Sequence, residues 1–301
     1  MSATAQSTIA GQPAETPANS SVFQPVKHAQ VQGLNIAYRE AGDRKNPTFV
    51  LLHGFPSSSF MYRNLLPLLA QRFHVIAPDY VGFGDSAAPL SADFEYSFDH
   101  LAEHVGALLQ QLGLERYYLY MQDYGGPIGL RLATAKPQAV LGLTIQNANS
   151  YVEGISRLTS EAFMALWQGK DEHGVRQLLT PATVQYQYAA GSRKPAELDP
   201  LTWTRDSALL SRPGSAEAQM ALFRDYQRNL AKYPQWQAYL REQQPKTLVV
   251  WGDGDPLFTP AGADAYGRDL QDLAIHHLNT GHFALEEDAA LIADLILAYF
   301  S

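Results

Sequence analysis

Short apolar, β-rich runs alternate with helical patterns along most of the chain, and this alternation restricts the fold more than any other feature. The runs fall at Gln30–Arg39, Thr48–Leu52, His74–Pro78, Tyr117–Gln122, Leu141–Asn147, Lys246–Trp251 and Ile275–Asn279, with an edge strand expected near Ser21–Val26. Strands without a polar face must be covered by helices on both sides, so strand-helix-strand order implies an α/β fold with a mostly parallel central sheet. Ser97–Leu112 carries Phe98, Leu101, Val105, Leu108 and Leu109 at helical spacing, with Gly113 where a helix-ending glycine belongs. A last helix is expected over about Asp288–Phe300.

One stretch breaks the rhythm. Residues 151–243 show no clear strand and many aromatics, with helical patterns at Thr159–Gly169, Gly174–Leu179, Leu201–Leu210 and Ser215–Leu230. Pro195, Pro200 and Pro213 punctuate it, which predicts short or broken helices there. The expected organisation is a core of residues 21–150 and 244–301, an inserted all-helical cap at 151–243, and a disordered tail at 1–20, rich in Ala, Ser, Thr, Pro and Gln.

Composition narrows the chemistry. The 301 residues contain no cysteine, which excludes thiol nucleophiles, thiolate metal sites and iron–sulfur clusters. With 22 Lys and Arg against 30 Asp and Glu, the chain lacks the basic excess of a nucleic-acid binder. No apolar run has the length of a membrane span or the layout of a secretory signal, so no membrane partner and a cytoplasmic location are expected. Self-association as a homodimer is left open.

The most specific signal is Tyr120-Met121-Gln122-Asp123-Tyr124-Gly125-Gly126, which closes a strand and opens the helix predicted over Pro127–Ala135. A sharp strand-to-helix turn lifts one side chain to the carboxyl edge of a sheet and aims a helix N-terminus at it, as a nucleophile requires. The residue so placed is Asp123. A carboxylate there attacks saturated carbon and leaves an alkyl ester, where a serine would attack an acyl carbon. Asp is also a favoured helix cap, so the turn by itself is ambiguous. Other strand ends add to it. His53-Gly54-Phe55-Pro56 follows Thr48–Leu52, and the backbone N–H of Phe55 with that of Tyr124 would form an oxyanion hole. Gly252-Asp253-Gly254-Asp255 follows Lys246–Trp251, and Gly281-His282-Phe283 follows the last strand. Nucleophile, acid and base then stand in chain order at Asp123, Asp255 and His282, with Asp253 the rival acid. His282 would activate water and Asp255 would hold its tautomer.

The motifs His53-Gly54-Phe55-Pro56, Pro78-Asp79-Tyr80-Val81-Gly82-Phe83-Gly84-Asp85-Ser86, Gln122-Asp123-Tyr124-Gly125-Gly126 and Gly281-His282-Phe283 together resemble the α/β-hydrolase superfamily. The likeness is to its aspartate-nucleophile branch of haloalkane dehalogenases and epoxide hydrolases. It covers roughly residues 30–150 and 245–300; the cap matches by position and size. The resemblance implies a cofactor-free, metal-free hydrolase acting on a small, neutral, apolar organic substrate with water.

Within that branch the leaving group decides the activity. Dehalogenases hold a halide with a tryptophan after the nucleophile and a second Trp or Asn; here Tyr124 follows Asp123, and Trp167 is the cap candidate for the second donor. Epoxide hydrolases place two cap tyrosines over the nucleophile. The cap offers Tyr186, Tyr188, Tyr226, Tyr233 and Tyr239, of which Tyr226 in Asp225-Tyr226-Gln227-Arg228-Asn229 most resembles the family segment. In an extended chain Tyr186 and Tyr188 point opposite ways, so at most one would face the site. Ile145-Gln146-Asn147-Ala148 resembles one dehalogenase subgroup. Fluoroacetate dehalogenases place arginines where Tyr124 and Pro127 stand here, which argues against an acidic substrate. The expected activity is epoxide hydrolysis to a vicinal diol, with haloalkane dehalogenation as the alternative and a non-catalytic receptor on the same fold as a third reading. His100-Leu101-Ala102-Glu103-His104 matches an inverted zinc-protease pattern, but lies along a sheet-covering helix.

Overall fold

The computed structural model describes residues 24–300. The tail expected at 1–20, and the first part of the edge strand expected near Ser21–Val26, lie outside the described residues. The chain forms an α/β fold around one eight-stranded sheet in the order β1-β2-β4-β3-β5-β6-β7-β8. The strands are β1 (Val26–Val31), β2 (Leu34–Ala41), β3 (Thr48–Leu52), β4 (His74–Pro78), β5 (Tyr117–Gln122), β6 (Val140–Gln146), β7 (Thr247–Gly252) and β8 (Leu273–Leu278). β2 runs antiparallel to both β1 and β4, and every other pairing is parallel. β3, β4 and β7 are buried along their whole length, which is why they read as unbroken apolar runs.

Helices α1 (Leu66–Leu69), α2 (Phe98–Gln111) and α3 (Gly125–Ala135) precede β6, and α9 (Ala261–Ala265) and α10 (Leu285–Tyr299) follow β7. The start of α2 is fixed by Ser97, whose side chain accepts from the His100 N–H, and Gly113 beyond its end takes a φ of 75°. Between β6 and β7 the chain forms α4 (Arg157–Trp167), α5 (His173–Arg176), α6 (Pro181–Ala189), α7 (Leu201–Leu210) and α8 (Ser215–Gln243). The single β contact of this stretch is an isolated bridge from Ile155 to Phe258. Among the described residues no helix is long and apolar enough to cross a membrane.

The structure corrects the sequence reading in several places. The run Gln30–Arg39 is a hairpin turning at Gln32 and Gly33, whose φ of 49° and 83° give the tight turn that joins antiparallel strands. Apolar residues on either side of it hid the break. The segment with Tyr186 and Tyr188 is helical, starting at a Thr180 cap with Pro181 in the first turn. α8 runs to Gln243 rather than stopping near Leu230, and holds Pro234 in its interior. A proline there costs about 3 kcal/mol, but the buried face continues across it through Tyr226, Tyr233, Trp236 and Leu240, and that packing prevails. α10 begins at Leu285, before a kink at Asp288.

Candidate active site

The carboxyl ends of β3, β5, β6, β7 and β8 deliver the site residues to one edge of the sheet. After β5 the chain turns into α3 through Asp123, whose φ of 48° puts a residue with a side chain in the left-handed region. Such a conformation persists only where the surroundings impose it. Here the Asp123 N–H donates to the Asn147 carbonyl (3.2 Å) and its carbonyl accepts from the Gly126 N–H (2.9 Å). Gly125 allows α3 to pass against β3, since a Cβ there would lie 2.0 Å from the Leu52 carbonyl oxygen. Gly54 does the same at the neighbouring loop, where a Cβ would come within 2.3 Å of the Asp123 Cβ and of Gln122 Oε1.

Asp123 is buried. Its Oδ1 accepts from the Phe55 N–H at 2.7 Å, and the Tyr124 N–H also bonds the carboxylate. Burial raises its pKa above the ordinary carboxylate value, against the opposing effects of His282 and of those two N–H groups. His282, from the loop after β8, lies with Nε2 4.0 Å from Asp123 Oδ2 and Nδ1 2.7 Å from Asp255 Oδ2. Burial disfavours the imidazolium, yet the charge and hydrogen bond of Asp255, with the charge of Asp123, outweigh it and raise the His282 pKa. Asp255 is fully bonded: the N–H groups of Leu257 (2.7 Å) and Phe258 (3.1 Å) reach Oδ1, and Asn147 Nδ2 (2.8 Å) reaches Oδ2. The rival acid, Asp253, pairs with His277 at 2.7 Å and does not approach His282 through any described hydrogen bond.

A cavity of about 280 Å³ opens over Asp123. Phe55, Tyr124, Leu257 and Phe258 line it from the sheet side; Phe163 and Trp167 of α4, Gln187 of α6, and Phe223 and Tyr226 of α8 line it from the helices above. Tyr226 is buried, with its ring centroid 5.7 Å from that of Phe98 and 6.2 Å from that of Tyr124. Burial and the Asp123 charge push its phenol well above the usual value, so it stays protonated. The Tyr124 hydroxyl is buried without a hydrogen-bond partner.

The other cap candidates stand elsewhere or are already engaged. Trp167 borders the cavity, but its indole N–H donates to the Phe223 carbonyl at 2.9 Å and is not free to hold a leaving group. Tyr186 is 56% exposed on the outer side of α6. Tyr188 is buried and stacks on Phe283 at 3.8 Å, outside the cavity lining, with its hydroxyl donating to Asp206 at 2.6 Å. The reason is helical geometry: Tyr186, Gln187 and Tyr188 project about 100° apart, and it is Gln187 that turns inward. Tyr233 and Tyr239 are buried outside the lining. His100 and His104 engage backbone carbonyls through Nδ1, and no group of metal-ligating side chains occurs among the described residues.

Three side chains that the sequence reading gave no role complete the site. Asn147, at a φ of 42° after β6, ties the Asp123 backbone to the Asp255 carboxylate and also bonds the Gly252 backbone on both sides. Gln122 Nε2 lies 2.9 Å from His282 Nε2, donating to it when Asp255 holds the proton on Nδ1. Gln187 is the third. Asn147 and Gln122 sat inside quoted motifs, which was the available signal; for Gln187 there was none.

Residues 47–289 match the family model for the alpha/beta hydrolase fold. An uncharacterized hydrolase of Saccharomyces cerevisiae is 42% identical, across 94% of this chain and 99% of that protein. Among solved structures, haloalkane dehalogenase DbeA from Bradyrhizobium elkani superposes with a TM-score of 0.75 at 25% identity, covering 92% of this chain and 97% of that one. The epoxide hydrolase CorEH superposes with a TM-score of 0.76 at 21% identity, covering 92% and 98%. Sequence motifs, sheet order and these likenesses agree: the chain is a hydrolase that belongs to the alpha/beta hydrolase fold family, of the haloalkane dehalogenase and epoxide hydrolase type.

Proposed function

We propose that this hydrolase opens small neutral epoxides to vicinal diols through an alkyl ester on Asp123. Oδ1 lies against the Phe55 N–H, which leaves Oδ2 to attack an epoxide carbon. As that C–O bond forms the ring C–O bond breaks, and the departing oxygen takes a proton from the Tyr226 hydroxyl. Water then attacks the ester carbonyl and gives its proton to His282 Nε2, while Asp255 stabilises the imidazolium. The tetrahedral oxyanion is held by the N–H groups of Phe55 and Tyr124; as it collapses the C–O bond to the alkyl group breaks, the departing diol oxygen takes the remaining proton of the attacking water, and the Asp123 carboxylate is restored, while the proton held by His282 passes through water to the Tyr226 phenolate.

The observation that carries this reading is Tyr226, a buried phenol kept protonated in the same cavity as the nucleophile. An alkoxide leaving group needs a proton; a halide needs only donors to rest against. The indole N–H of Trp167 is occupied and Tyr124 replaces a tryptophan, so the cavity offers no free indole to a halide. The likeness to a haloalkane dehalogenase supports displacement of halide from a neutral alkyl halide as the second reading.

The test is the intact mass of His282→Gln, which stalls at the ester, after incubation with a small epoxide and with a bromoalkane of similar size. A gain equal to the whole epoxide, lost when Asp123→Asn is added, is the expected result. An alkyl gain with bromide release and no epoxide adduct would transfer the assignment to dehalogenation.

A further inference from the structure

The cavity over Asp123 holds a polar group that the reaction does not use. Gln187 is 1% exposed and lines the cavity, and neither its Nε2 nor its Oε1 has a hydrogen-bond partner. An unbonded amide in an apolar interior is costly, and a leucine of similar volume would avoid the cost. The neighbouring polar groups do not meet it: the Tyr188 hydroxyl bonds Asp206, and the Thr159 hydroxyl takes part in bonds with Ser156 and the Leu257 carbonyl.

We propose that Gln187 is the specificity-determining residue of this site and binds a hydroxyl or carboxamide group carried by an otherwise apolar substrate. The assignment rests on the cavity being the substrate site, as the proposed function has it. The amide carries N–H donors on its nitrogen and an acceptor on its oxygen, and a hydroxyl or carboxamide can bond both ends, whereas an ether can meet only the nitrogen and a hydrocarbon neither. An anionic group is disfavoured, because Asp123 already places a carboxylate in the lining and no Lys or Arg lines the cavity to balance a second one. The preferred substrate is therefore an epoxide whose remaining chain is apolar and ends in, or carries, one neutral hydrogen-bonding group. A site built around such a group discriminates sharply against the analogue lacking it, since binding the analogue buries the amide with nothing to satisfy it.

The test compares 5,6-epoxyhexan-1-ol with 1,2-epoxyheptane, which differ by hydroxyl for methyl, on the parent protein and on Gln187→Leu. The parent is expected to favour the hydroxyl compound in kcat/KM by about tenfold or more, and Gln187→Leu to remove that preference. Gln187→Leu is also expected to raise Tm by about 2 °C, because the unbonded amide is gone; a scaffold role predicts a fall. A preference unchanged by the substitution, or both rates falling by the same factor, overturns the proposal. If neither epoxide is turned over, the reaction reading fails by itself, and 6-bromohexan-1-ol against 1-bromoheptane gives the same comparison. If no pair is turned over, dissociation constants of 1,2,6-hexanetriol and 1,2-heptanediol decide: equal values, or a ratio unaffected by Gln187→Leu, refute the role of the amide.

Discussion

Replacing Tyr226 by phenylalanine separates the two activities that the fold permits. The substitution removes one oxygen and leaves the ring among its neighbours: Phe98 at 5.7 Å, Phe163 at 5.6 Å and Tyr124 at 6.2 Å between centroids. Packing is retained, and the stability change is confined to one hydroxyl, about 1 kcal/mol. The chemical effect is far larger. A positioned general acid contributes about 10²–10⁴-fold, equivalent to roughly 3–5 kcal/mol of barrier. The lower end is expected here if the Tyr124 hydroxyl, buried and unpartnered on a residue of the same lining, can stand in as a second proton source. The assay is single-turnover ester formation in the His282→Gln background, read by mass against time, so that hydrolysis does not enter. Ring opening is expected to slow about 10²-fold in Tyr226→Phe, and further when Tyr124→Phe is added, which spares the Tyr124 backbone N–H. Displacement of bromide takes no proton and is expected to change less than tenfold. Epoxide opening within threefold of the parent rate would refute Tyr226 as the proton donor.

Two further outcomes concern charge. The His282 pKa is raised, so its imidazolium is expected to titrate in the free protein with a midpoint above 6.5, and Asp123→Asn is expected to lower that midpoint by removing one of the charges that holds the proton; the imidazole NMR signals report both, and an unmoved midpoint would mean that Asp123 does not act across the 4.0 Å. Asp206, fully buried with its carboxylate against Tyr188, is pushed up to about 7 by burial, far above the ordinary carboxylate value. A raised folded pKa gives stability that is present below about 4 and lost as the pH rises through 7, so Asp206→Asn is expected to stabilise the protein by about 2–4 kcal/mol at pH 8 and to have little effect near pH 4 in urea unfolding; an equal effect at both pH values would count against a titrating carboxylate.

What could be read from the sequence was what short stretches of backbone decide. The turn at Asp123, the loops carrying Phe55, Asp255 and His282, and the strands that deliver them follow from glycine placement and apolar runs a few residues long. Side chains whose role depends on how distant helices dock escaped it. Nothing local says that the Trp167 N–H meets the Phe223 carbonyl, residues apart in sequence and on different helices, or that Gln187 rather than Tyr186 or Tyr188 faces the cavity. The Thr180-Pro181 start of α6 was a readable signal, and it would have changed the projection of all three. The extension of α8 past Pro234 was not readable, because a buried stripe overrode the strongest local helix breaker.

The length of α8 also governs how a substrate arrives. This one rod carries Tyr226 into the cavity that opens over Asp123, has Asp225 accepting from the Phe98 N–H at 2.8 Å and Asn229 accepting from Arg131 at 2.8 Å, and leads at its far end into β7. A roof beam anchored at so many points cannot swing on a hinge without pulling Tyr226 away from the cavity over Asp123 and loosening α2 and α3 beneath it. Under the proposed function, entry is expected at the rim formed by α4, where Leu158 and Met164 line the cavity and are 76% and 43% exposed. If substrate enters there, such a doorway would work like a flap of flexible side chains in a fixed frame, and traffic through it would be set by how fast those chains move rather than by any large motion of the helices.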